Sequence, residues 1–271
     1  MEVNTYVLGP RRLFIEVYNA FELSMKELGH KVNRINEGFL KGGTRKWGDK
    51  EWENEVHGWP YITEGINIFM VGSASILKDE RSKLPKNSVN ILYNFEQTRI
   101  HNSERFDYIF SIFEHFIDNI YCPLGWSPVY ESNLTVNEED IDVLYLGKDI
   151  YNKYKDIITN NIAYDEERND MILRSKINVI FERWPMYRFP TLRYLLIACK
   201  KKFVLSEEHP SYDRIIPGKH VFVSRNIRDD IGYWLKEKDK RWEFANSAYD
   251  SLKHSCNYTG FLNDALKRLN I

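Results

Sequence analysis

A chain of 271 residues that is 43% hydrophobic and 14% aromatic can bury one large core or two modest ones. Its 38 basic and 39 acidic residues give a formal net charge of −1. That balance excludes a global field for nucleic acid or anionic membrane, while a local basic groove stays open. The three cysteines, Cys122, Cys199 and Cys256, show no CxxC spacing, which argues against a secreted disulfide framework and predicts a reducing, cytoplasmic setting. The start, MEVNTYVLGPRRLF, lacks a signal-peptide core, and no apolar run of about 18 residues follows, so membrane insertion is not expected.

The segment NTYVLG reads as a strand, closed by a turn at Gly9 and Pro10. An amphipathic helix follows over about Arg11 to Leu28, with Leu13, Val17, Phe21 and Met25 on one face and Gly29 as its stop. KVNRIN reads as a second strand. Residues 38–65 read as a loop-rich insertion, too long for a simple connector, carrying Trp47, Trp52, Trp59 and Tyr61. Such rings suit sugars or unstacked bases, or they close a small subdomain core; Arg45 and Lys46 beside Trp47 add positive charge that the nearby acids dilute. INIFMVGS, VNILYNFEQ and FDYIFSIFE then predict three buried strands of a parallel sheet. IYCPLGWSPVY leads into the acidic, polar stretch ESNLTVNEED, where a domain boundary is expected, giving domains over residues 1–135 and 136–271.

The second half repeats the grammar. IDVLYLG is a strand ending at Gly147, DIYNKYKDIIT a helix, NIAY a short strand, DEERNDMILRSK a helix and INVIFE the next strand. TLRYLLIACK predicts a helix and KFVLSEE a strand; KHVFVSR is the last strand, followed by two helices over residues 226–255. GFLNDALKRLN is a final amphipathic helix that can pack back on the first domain. The expected fold class is α/β, with two Rossmann-like domains facing each other across a cleft.

Residues 177–208, INVIFERWPMYRFPTLRYLLIACKKKFVLSEE, carry most of the functional signal. In parallel α/β sheets ligands sit at the carboxyl ends of strands, and both strand ends here are charged: Glu182 and Arg183 after one, Glu207 and Glu208 after the other. A helix start beside Arg193 can hold phosphates, and an acidic pair can accept hydrogen bonds from ribose hydroxyls. Ion pairing of Arg193 with Glu182 or Glu207, and solvated glutamates, are the structural readings of the same residues. No GxGxxG, GxxxxGK[ST], HExxH or GxSxG motif occurs, and the seven histidines are scattered, so no metal is expected.

Four segments resemble GT-B glycosyltransferases, in particular the branch with CgeB-like and group 1 C-terminal domains: ILYNFEQ (91–97), YCPLGWSPVY (121–130), DIDVLYLGK (140–148) and the 175–208 core. The resemblance implies a metal-independent enzyme with no cofactor beyond a nucleotide-sugar co-substrate, a UDP-sugar being favoured, whose glycosyl group moves to an acceptor hydroxyl. It places the donor on the second domain, at Gly147, Lys148, Arg193 and Glu207 or Glu208. The acceptor side takes Gly9, Arg11, Asn94, Gln97, Trp47 and His57. Glu96 is the candidate general base of an inverting reaction and only orients substrate in a retaining one; His57 and Asp49 are alternative bases. A modified DNA base, a cell-surface glycan, a protein or a small molecule fits as acceptor. KDIYNKYK stands where the family has paired arginines, and Pro190 where it has an acid. Those departures motivate another reading, a non-catalytic binding protein on the same scaffold; a nucleotide-sugar epimerase-like enzyme that acts on the donor alone is a second alternative.

Overall fold

Parallel strands covered on both faces read as β-branched and aromatic runs with little polar alternation, and both halves of the chain use them so. The computed structural model describes residues 1–8, 11–35, 41–47, 50–55, 62–71, 84–94, 106–112, 119–136, 138–147, 154–161, 163, 165–181 and 189–269. They fall into two compact units, Met1–Pro123 with Thr259–Ile271, and Leu124–Tyr258. The acidic stretch around residue 135 lies within the second unit. There Lys200 Nζ donates to the backbone oxygen of Tyr130, and Trp126 bridges to Asn257.

The first unit contains strands β1 (Glu2–Leu8) and β2 (Lys31–Arg34), the ribbon strands β3 (Lys41–Trp47) and β4 (Lys50–Glu55), and strands β5 (Ile66–Val71), β6 (Val89–Asn94), β7 (Tyr108–Ser111) and β8 (Ile120–Tyr121). Apart from the ribbon these form one six-stranded sheet in the order β2-β1-β5-β6-β7-β8, parallel throughout. Helix α1 (Arg11–Glu27) buries Val17, Phe21 and Met25. It stops at Gly29, whose φ of +79° suits glycine, with the His30 N–H closing on the Met25 carbonyl at 2.9 Å. Asn33, Asn4, Asn67 and Asn90 share one register and hydrogen-bond in a row across four strands. Buried amides that satisfy one another penalise any slip of these strands.

The insertion differs from expectation. Instead of an irregular loop, residues 41–47 and 50–55 form an antiparallel ribbon, β3 on β4. A Gly-Asp pair between two segments rich in cross-strand partners is a hairpin signal that the local density of charge obscures. The register pairs Arg45 with Trp52, Trp47 with Lys50, Lys46 with Glu51 and Thr44 with Glu53.

The second unit has strands β9 (Ile141–Leu146), β10 (Thr159–Asn161), β11 (Ser175–Ile180), β12 (Val204–Glu207) and β13 (Phe222–Ser224) in the order β10-β9-β11-β12-β13, again parallel. Its helices are α2 (Asp165–Arg174), α3 (Thr191–Ala198), α4 (Ile227–Lys236) and α5 (Lys238–Ser255); α6 (Tyr258–Leu266) closes the first unit, where Thr259 Oγ1 bonds Ser24 and Glu27. One face of this sheet, Val143, Tyr145, Ile177, Val179, Phe181, Phe203 and Leu205, packs on Ile227, Ile231 and Trp234 of α4. Two assignments change here. Tyr154–Ile157 is a short turn rather than part of a helix, and the strand is Thr159–Asn161 rather than NIAY. Thr159–Asn161 pairs with Leu144–Leu146 of β9, so the chain is already extended where the expected helix would end.

His220 is almost fully buried. Its Nδ1 accepts from the Ile216 N–H at 3.0 Å, so Nε2 carries the proton toward Ser251 Oγ at 2.9 Å. Desolvation, aided by Lys219, lowers its pKa from 6.5 to about 4. In the unfolded chain the ring protonates near 6.5, so between these values the unfolded state binds more protons and stability falls as pH falls. We expect this histidine to contribute about 1–3 kcal/mol of acid lability across that window. Denaturant melts from pH 7 to 4.5 on the wild type and on His220→Gln should show a shallower pH slope in the variant.

Candidate active site

In the second unit the strand order reverses between β9 and β11. In open parallel sheets the space outside the carboxyl ends at that reversal is where ligands bind. The side chains there are set by the period of the strands. Val143 and Tyr145 of β9 share a face, and Gly147 follows in the same alternation. A Cβ placed on Gly147 would lie 2.5 Å from both Cζ and Oη of Tyr145. Glycine is thus required for the Tyr145 ring to occupy the end of the strand.

From Tyr145 an aromatic layer crosses the sheet. Its ring lies 5.1 Å from that of Phe181, just past β11, and Phe181 stacks on Tyr154 at 5.0 Å with a 9° interplanar angle. All three rings are buried. Polar groups are held at the margins of this layer. The Arg193 guanidinium, in the first turn of α3, sits 5.5 Å from the Tyr145 ring centroid, a cation–π distance. The Tyr154 hydroxyl donates to Glu207 Oε1 at 3.3 Å, at the end of β12. Gly147, Arg193 and Glu207 are therefore linked through three rings at the carboxyl ends of β9, β11 and β12.

Helix α3 begins after Pro190, which occupies the N-cap position with no side-chain cap. A proline at a helix start sacrifices no hydrogen bond, because its missing N–H would have no partner within the helix. Arg193 thus projects from a turn whose backbone N–H groups and dipole favour an anion, with a guanidinium suited to bidentate phosphate contact. Of the acidic pair, Glu207 is half-buried and joined to the aromatic layer, whereas Glu208 is exposed. Ser206 is buried and directs Oγ to the Glu207 backbone oxygen at 2.8 Å instead of capping the next turn.

On the first unit, Asn94 closes β6 and is buried, in register with Val71 and Ser111. Arg11 opens α1 directly beyond β1, and Trp47 ends β3; both are described through their backbone alone. Gly9, Asp49, His57, Glu96, Gln97, Lys148, Glu182, Arg183 and Arg188 lie outside the described residues. Sequence reasoning missed Tyr145, Tyr154 and Phe181. The alternation of IDVLYLG, which sets Tyr145 on the face of Gly147, held the signal for the first of them. Among the described residues no group of three or more histidine, cysteine or acidic side chains is arranged to hold a metal ion, and no helix is long and apolar enough to cross a membrane.

No protein-family model matches the chain, and no curated protein matches its sequence. Solved structures do. An α-glucosyltransferase in complex with UDP and a 13-mer DNA with a central A:G mismatch superposes with a TM-score of 0.64 at 9% identity, over 98% of this chain and 99% of that one. The DNA-modifying enzyme β-glucosyltransferase, solved in the presence and absence of uridine diphosphoglucose, gives 0.58 at 14% identity, over 98% and 100%. Sucrose-phosphate synthase from Thermosynechococcus elongatus gives 0.55 at 9% identity, over 98% and 96%. With two parallel, doubly wound α/β units matched from end to end, the chain has the GT-B fold of these glycosyltransferases.

Proposed function

We propose that the protein is a glycosyltransferase that moves a hexose from a UDP-sugar to an acceptor hydroxyl, in the CgeB-like branch that its strand-end motifs resemble. The observation that carries this reading is the gathering of Gly147, Arg193 and Glu207 around one aromatic layer at the strand-order reversal. In it Gly147 gives the diphosphate close access to backbone, and Arg193 with the start of α3 neutralises the charge that builds on the departing UDP. Basic groups in that position supply what a divalent ion supplies elsewhere, so the reaction is metal-independent. Glu207, not Glu208, accepts from the ribose hydroxyls. Lys148 adds positive charge beside Gly147. Glu96 serves as base if the reaction inverts; Asn94, Gln97, Arg11 and Gly9 orient the acceptor.

For the acceptor we favour a hydroxyl on a modified DNA base. The β3–β4 ribbon supports this, because its register brings Arg45 opposite Trp52 and Trp47 opposite Lys50. Alternating cations and indoles suit a phosphate backbone and an unstacked base. The neighbours matched over almost their full length include one bound to DNA and one that modifies DNA. The three cysteines are free and buried, which fits work in the cytoplasm.

Incubation with a panel of UDP-hexoses and duplexes carrying hydroxymethylated or ordinary bases, read by mass spectrometry of the DNA, tests both halves. A gain of one hexose on the hydroxymethylated duplex alone is expected. UDP-sugar hydrolysis without a DNA product would move the acceptor to another hydroxyl, and absence of any turnover or UDP binding would refute the transferase reading.

A further inference from the structure

The turn after β12 holds a histidine whose chemistry is not used by the fold. His209 is 4% exposed, yet neither ring nitrogen has a hydrogen-bond partner. Its ring sits edge-on to Phe189 at 5.3 Å and to Tyr212 at 5.7 Å. These contacts come from two connections at the same end of the sheet. Phe189 precedes α3, and its N–H donates to the Ser211 carbonyl at 3.1 Å, which ties that segment to the turn 207–212. The turn is fixed again from within, since the Tyr212 hydroxyl accepts from the His209 N–H at 2.9 Å and donates to the Glu207 carbonyl at 3.3 Å. The imidazole is therefore held in a rigid aromatic setting, two residues past Glu207 and beside the start of the helix that carries Arg193.

A buried donor and acceptor left unmade are costly, so the site calls for a group that completes them, and a bound ligand is one that can. Burial also lowers the pKa of this ring from 6.5 to about 4, so at neutral pH it presents one N–H and one lone pair and no charge. A ring that offers one donor and one acceptor suits a neutral group that both donates and accepts.

Resting on the donor site proposed above, we propose that His209 is a specificity-determining residue that hydrogen-bonds a neutral hydroxyl or imide of the bound nucleotide sugar. The group it reads is on the hexose or on the nucleoside; the shared chemistry is a neutral donor–acceptor edge, and a comparison of ligands separates the two.

The test uses protein labelled with 15N at the imidazoles, titrated with UDP and with UDP-glucose, together with calorimetry on the wild type, His209→Phe and His209→Gln. His209→Phe keeps an aromatic ring against Phe189 and Tyr212 and removes both nitrogens; its melting temperature establishes that it folds. The expected result is a change in the His209 ring-nitrogen resonances on donor binding, and about tenfold weaker binding by His209→Phe, with part of the loss recovered in His209→Gln. Effects with UDP-glucose alone place the contact on the hexose, and equal effects with UDP place it on the nucleoside. If the wild type binds donor while the ring nitrogens stay unmoved and His209→Phe binds as tightly, the inference is overturned and the donor site stands. If the wild type binds no nucleotide sugar, both fall together.

Discussion

Replacing Arg193 by alanine is expected to weaken UDP binding by about tenfold to a hundredfold while leaving the melting temperature nearly unchanged. The magnitude follows from the contact. A hydrogen bond to a charged partner contributes roughly 1.5–3 kcal/mol, and each 1.4 kcal/mol is tenfold in affinity. Arg193 is only half-buried, on the first turn of an eight-residue helix whose hold on the unit comes from buried Tyr194, Leu195, Leu196 and Ile197. Its loss should therefore cost affinity far more than stability. Arg193→Lys keeps the charge without the planar fork and should recover only part of the affinity. Calorimetry with UDP on the three proteins separates these outcomes, and an unchanged dissociation constant in Arg193→Ala would remove this residue from the donor site.

The second large effect is expected at Gly147. A methyl group there must displace the Tyr145 ring, because its carbon would lie 2.5 Å from ring atoms. Overpacking of this kind costs typically 1–3 kcal/mol, and the displaced ring would disturb both Phe181 and the seat of Arg193. Gly147→Ala should thus lose stability and UDP affinity together. In a Tyr145→Leu background the obstructing ring is gone, and the same substitution should cost at least about 1 kcal/mol less. Urea unfolding of the four proteins of this cycle measures the coupling; additive effects would show that Tyr145 is not what Gly147 accommodates.

Much of this arrangement was legible in the sequence, for identifiable reasons. Short β-branched runs such as INVIF and VNILY point to buried strands, and Gly29 marks a helix end through its backbone freedom. The positions of Gly147, Arg193 and Glu207 at strand and helix ends were legible from the order of the elements, which needs no tertiary information. The aromatic layer was not, since nothing local says that Tyr154 will stack on Phe181, 27 positions away in the numbering. The choice between Glu207 and Glu208 also required knowing which carboxylate Tyr154 meets. The ribbon was hidden for a different reason. Linear order runs Arg45 and Lys46 on toward Glu51 and Glu53, and only the pairing register shows that Arg45 meets Trp52 while Lys46 meets Glu51. His209 reads in sequence as one scattered histidine; its unpartnered burial depends on Phe189 from another connection.

The measurement that bears most directly on a UDP-sugar site at the strand-order reversal is calorimetric titration of the folded wild type with UDP, GDP, CMP, TDP and ADP. The expected result is micromolar binding of UDP, weaker or absent binding of the others, and a clear loss in Glu207→Ala. A folded protein that binds none of these nucleotides would contradict the donor site and leave a GT-B scaffold with a different ligand.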